Sequence, residues 1–173
     1  MSHNLVNIAD LNGLPTVTPE QWALFIPPGT FTKMPLAHRD QILFLDVAST
    51  QTVYDAANRR NILCGNDGFG NTPFSAGCFR HVEAYSIQAE AELKKWLYQR
   101  GIPFASAAFV LPVFAADSSP AVLTTWKMIV KYAFELFGSD DIVVVSDKVD
   151  WCVYFRHCGT LKFASEPDRT KFW

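Results

Sequence analysis

Charge is scarce in this chain. Asp, Glu, Lys and Arg make up 18% of its 173 residues, below the roughly 25% of ordinary soluble domains. No basic run is longer than the pairs Arg59-Arg60 and Lys94-Lys95, and the net charge is −2. A nucleic-acid binder needs a basic patch to neutralise phosphates, so no nucleic-acid partner is expected. Long apolar runs are lacking too. The longest, Ile102 to Ala116, contains Pro103 and Pro112 and falls short of the roughly 20 residues that cross a bilayer. No membrane partner is expected. The residues Met1-Ser2-His3-Asn4-Leu5 have neither the basic nor the apolar region of a secretory signal. No Asn-x-Ser/Thr acceptor occurs. The cysteines Cys64, Cys78, Cys152 and Cys158 therefore read as reduced thiols of a cytoplasmic protein.

Apolar residues are plentiful. They reach 49%, with 14 Phe and 5 Trp, enough for a large core in a single domain. The stretch Gly101 to Phe137 marks that core. Its only charges are Asp117, Lys127, Lys131 and Glu135. The last three fall at i, i+4 and i+8, so a helix from Pro120 to Phe137 shows water one narrow line including Thr124. Leu123, Trp126, Val130, Phe134 and Phe137 are expected against a sheet, and Ala121, Met128 and Tyr132 under some further cover.

The rest of the chain reads as follows. Residues 1–37 form a proline-rich arm whose short helix runs from Thr18 to Pro27, and residues 38–173 form the main domain. Gln41 to Val47 is a strand and Ser49 to Ile62 a helix. Cys64 to Gly77 is a glycine-rich loop. His81 to Arg100 is a helix, with the pair Glu90 and Lys94 at i, i+4 and Gly101 just past its end. Phe104 to Phe114 is a buried strand. Ile142 to Val145, Trp151 to Arg156 and Thr160 to Phe163 are strands joined by links of hairpin length. The fold class expected is α+β: a mixed, mostly antiparallel sheet ending in a three-stranded meander, with helices packed on one face.

Three groups of residues carry candidate chemistry. Cys78 and His81 have the Cys-x-x-His spacing that lets two side chains reach one zinc. Cys64 and Cys158 are the remaining candidate ligands of a closed site. The same Cys78 and His81 are the candidates for a thiol nucleophile and its base, since side chains at i, i+3 on a helix meet. The loop Cys64 to Gly77 matches neither a Walker A loop nor a dinucleotide-binding turn. Its Phe69, Asn71 and Phe74, with His157, are candidate binding residues, and an apolar pocket beneath it would suit a small molecule. Asp140-Asp141, and Asp147 with Asp150, read as solvated turn residues rather than paired catalytic carboxylates. No cofactor is expected.

The C-terminal meander, Ile142 to Phe163 with Trp151, His157 and Gly159, resembles the C-terminal meanders of small bacterial immunity proteins, which neutralise a toxin by binding it. It carries no diagnostic motif. The lack of a convincing catalytic constellation, the low charge and the aromatic loop point to a bacterial, non-enzymatic protein-binding module, immunity-like or regulatory, with a protein partner or a homodimer as its assembly. The competing expectations are a small enzyme using Cys78 and His81, and a small-molecule binder.

Overall fold

The computed structural model describes residues 33–59, 62–63, 79–87, 89–113, 120–134, 141–156 and 159–167. The elements in chain order are α1 (Leu36–Arg39), β1 (Ile42–Phe44), α2 (Val47–Arg59), β2 (Phe79–Ser86), α3 (Glu90–Tyr98), β3 (Ala107–Pro112), β4 (Val122–Thr125), α4 (Trp126–Lys131), β5 (Ile142–Ser146), β6 (Trp151–Phe155) and β7 (Thr160–Pro167). The seven strands form one sheet in the order β1-β4-β3-β5-β6-β7-β2. Every neighbouring pair is antiparallel. The α+β class and the C-terminal meander β5-β6-β7 are as the sequence implies.

Burial explains the apolar composition. Side chains alternate across a strand, and here both faces are covered. Ala108, Val110, Ile142, Val144, Val153, Leu161 and Phe163 point to one side, against Leu93, Trp96 and Leu97 of α3 and Trp126, Met128 and Ile129 of α4. Phe109, Leu111, Val143, Val145, Cys152, Tyr154 and Ala164 point to the other, against Val53, Tyr54 and Ala57 of α2. The helices thus flank the sheet on both faces, not one. A sheet buried twice needs near-continuous apolar strands, and all five residues of β5 and all five of β6 are buried.

Two expected helices are partly strands. The segment from Pro120 does not start a helix. Val122 to Thr125 is β4, inserted between β1 and β3, and α4 begins only at Trp126. Val122, Thr124 and Thr125 are β-branched and favour a pleated surface. Thr124 is consequently not on a solvated line: it is buried and donates to the Gln41 carbonyl at 2.8 Å. Lys127 and Lys131 do face water. Ala121, Met128 and Tyr132 are buried, whereas Phe134 is 62% exposed. Likewise His81 to Arg100 is not one helix. Phe79–Ser86 pairs with β7 across seven registered positions, and only Glu90–Tyr98 is helical. Gly101 ends that segment with φ +68°, the left-handed conformation that glycine adopts at low cost.

Local polar contacts lock these elements. Asp46 caps α2 by accepting the Ser49 N–H at 2.8 Å. Hydrogen bonds from the Ser49 side chain and backbone hold the Asp46 carboxyl below its ordinary range. In the β5–β6 hairpin, Ser146 Oγ accepts the Asp150 N–H at 2.9 Å, and the Val149 N–H returns to the Ser146 carbonyl at 3.0 Å. Tyr54 donates to the Pro112 carbonyl at 2.6 Å, tying α2 to β3. Asp141 is not a solvated turn residue: it is buried and accepts the Tyr154 hydroxyl at 2.6 Å.

Candidate functional site

Strand β2 is the last strand of the sheet among the described residues. Its inner edge is paired to β7, with Val82 opposite Ala164 and Glu83 opposite Phe163. The Ile87 N–H donates to the Gly159 carbonyl at 2.9 Å, continuing the same register. In an antiparallel ladder, opposed residues alternate between pairs that exchange both backbone bonds and pairs that exchange none. Counting back from Ile87, the residues Tyr85, Glu83 and His81 bond to β7. Val82, Ala84 and Ser86 therefore turn N–H and C=O outward, away from the sheet.

The side chains of this strand divide by face. His81, Glu83 and Tyr85 lie on the α3 side and form a linked cluster. Glu83 Oε1 meets His81 Nε2 at 2.9 Å, and Arg100 Nη1 donates to Glu83 Oε2. These two hydrogen bonds, His81's the larger, hold the Glu83 carboxyl below its usual range. Arg100 Nε donates to the Trp96 carbonyl at 3.2 Å. Its guanidinium lies 4.5 Å from the Trp96 ring centroid and 5.4 Å from that of Phe163, within the range of a cation–π contact. Tyr85 stacks on Trp96 at 6.1 Å and 17°. The cluster clamps α3 to the sheet edge. On the α2 side, Val82 is 44% exposed, and Ala84 and Ser86 are exposed with it.

His81 is the one candidate residue from the sequence that falls among the described residues. It sits on a strand, not at a helix start, so the i, i+3 helical geometry assumed for Cys78 and His81 does not hold. Its hydrogen-bond partner is Glu83. Cys64, Cys78, Cys158, Phe69, Asn71, Phe74 and His157 lie outside the described residues, as do the loop Cys64 to Gly77 and the arm helix. Among the described residues no group of three or more His, Cys, Asp or Glu side chains is placed to hold a metal. Cys152 is buried in the core, where a thiol packs as a small hydrophobe. No helix among the described residues is long and apolar enough to cross a membrane.

The sequence reading missed Glu83, Tyr85, Trp96 and Arg100 as one assembly. The signal was present: His81, Glu83 and Tyr85 recur at spacing two, the period of a strand face. A second polar contact, also missed, joins His38 Nδ1 to the Tyr132 hydroxyl at 2.5 Å. Loss of hydration, then the charges of Lys131 and Lys127, push the His38 imidazole below its ordinary pKa. What β2 offers chemically is backbone hydrogen bonding along an edge to which no other strand among the described residues is paired. Comparison with protein-family models and with curated proteins returns no match for the chain.

Proposed function

We propose that this protein is a non-enzymatic protein-binding module that accepts an extended segment of its partner as an added strand on β2. The observation that carries this reading is the outward row of N–H and C=O groups at Val82, Ala84 and Ser86 on an eight-residue terminal strand. Such an edge is a template for strand addition, in which main-chain bonds supply affinity and alternate side chains supply selectivity. The interleaved Arg80, His81 and Glu83 suit this role, because charge on an edge discourages indiscriminate pairing. An immunity-like or regulatory protein, bacterial and cytoplasmic, would use such a surface to cover its target.

The test is partner capture from host lysate by the wild type and by Ala84→Pro. The Ala84 N–H points away from β7, so proline there removes no internal ladder bond. The wild type is expected to retain a stoichiometric partner and Ala84→Pro to lose it, while its stability stays within about 1 kcal/mol of the wild type. Equal retention by both proteins would overturn strand addition as the binding mode.

A further inference from the structure

Resting on the reading of β2 as an open edge, we infer that a second copy of this chain occupies that edge, antiparallel, about a two-fold axis through Val82. The argument starts from which backbone groups face outward. They belong to even-numbered residues, so two β2 strands can pair only with even residues opposite even residues. Three central registers satisfy that rule: those with the axis at Val82, at Glu83 or at Ala84. With the axis at Glu83, the two Glu83 carboxylates stand directly opposite at the closest approach of the strands, and like charges there are destabilising. With the axis at Ala84, Glu83 faces the second copy's Tyr85 and His81 its Ile87, with no complementary polar pair. With the axis at Val82, His81 of each copy faces Glu83 of the other, twice by symmetry. These side chains already hydrogen-bond within one copy at 2.9 Å, so the imidazole and carboxylate meet in alternating order across the seam.

The apolar contact agrees with this register. Val82, 44% exposed in one copy, packs on its own symmetry mate and exchanges both backbone bonds with it. A two-fold contact of this kind uses one patch twice and closes on itself, so assembly stops at the dimer. The covered edge is then no longer open to indiscriminate pairing. A single added strand is a small interface, and association is expected in the roughly 1 to 100 μM range.

The experiment is cross-linking by substituted cysteine in the full chain, with sedimentation velocity over that same range. At the axis the two Cα atoms of position 82 are about 5.5 Å apart, a span that a disulfide bridges. The two positions 84 are then roughly 13 Å apart along the strands, beyond its reach. Mild oxidation of Val82→Cys is expected to give a covalent dimer whose linkage maps by mass spectrometry to position 82. The wild type and Ala84→Cys, oxidised alongside, should give no linkage at strand β2. Unmodified protein should show a monomer–dimer equilibrium that Ala84→Pro abolishes. A cross-link at 84 in place of 82 overturns the register. A protein that stays monomeric throughout overturns the homodimer. In that case the strand-addition reading still stands if lysate capture is lost in Ala84→Pro, so the two failures are distinguishable.

Discussion

Strands β6 and β2 lie in one sheet, separated only by β7, yet they are opposite in composition and setting. Every residue of β6 is buried, and both its edges are paired, to β5 and to β7. On β2 only Phe79 is buried, and one edge faces outward. The sequences match these settings. Trp151-Cys152-Val153-Tyr154-Phe155 carries no charge, whereas Phe79 to Ser86 interleaves Arg80, His81 and Glu83 with Val82, Ala84 and Tyr85. The central strand supplies stability, through burial on both faces. The edge strand buries only Phe79 and turns outward the hydrogen-bonding groups that a binding surface needs.

The same kind of substitution should therefore act very differently at the two places. Proline at Val153 removes a ladder bond in a strand paired on both sides. It is expected to cost 3 kcal/mol or more, about the size of the interior-helix penalty, and to abolish cooperative urea unfolding. A normal transition in Val153→Pro would break the comparison. Trp126→Ala should follow closely. Trp126 is fully buried and meets Trp151 edge to face at 4.9 Å, so its loss should cost about 3–5 kcal/mol in the same assay.

Tyr54→Phe is expected to lower stability by about 1–3 kcal/mol, because it strands the buried Pro112 carbonyl. It also carries a pH signature. Burial pushes the Tyr54 phenol well above its ordinary value of 10.0. A raised phenol favours the folded state while neutral, so this contribution is whole below pH 10.0. It is lost as the pH climbs from there towards the folded-state pKa. The wild type should lose stability with alkaline pH more steeply than Tyr54→Phe, and equal slopes would contradict the assignment.

At the edge the effects shrink. Glu83→Gln weakens the contacts to His81 and Arg100, but Glu83 is 43% exposed and solvent screens such pairs, so less than about 1 kcal/mol is expected. The depressed Glu83 carboxyl contributes only above its ordinary range, and that small contribution disappears as pH falls through the lowered value. Ala84→Pro should have the smallest effect on stability, within about 1 kcal/mol, and the largest on binding. A loss comparable to Val153→Pro would show that β2 is not an edge.

How much was legible in the sequence follows the same division. The meander was readable because β5, β6 and β7 are neighbours in both chain and sheet, and short links announce hairpins. β3 and α2 were readable from apolar run and periodicity. β2 and β4 were misread as helix because their partners are remote: His81 pairs with Ser165, and Leu43 with Leu123. Local sequence at Val122 to Thr125 fits a helix face as well as a strand, and the non-local ladder decides between them. The site was less legible still. His81 was singled out for its spacing from Cys78, but its observed hydrogen-bond partner is Glu83. Arg100 joins the cluster only because α3 folds back over β7.

Residue-resolved hydrogen exchange on dilute protein tests the central claim most directly. The amides of His81, Glu83 and Tyr85, bonded to β7, should exchange slowly. Those of Val82, Ala84 and Ser86 should exchange fast and slow down as protein concentration rises. Equal and concentration-independent protection of both sets would show that the outer edge of β2 is already covered within one chain, and would contradict the account.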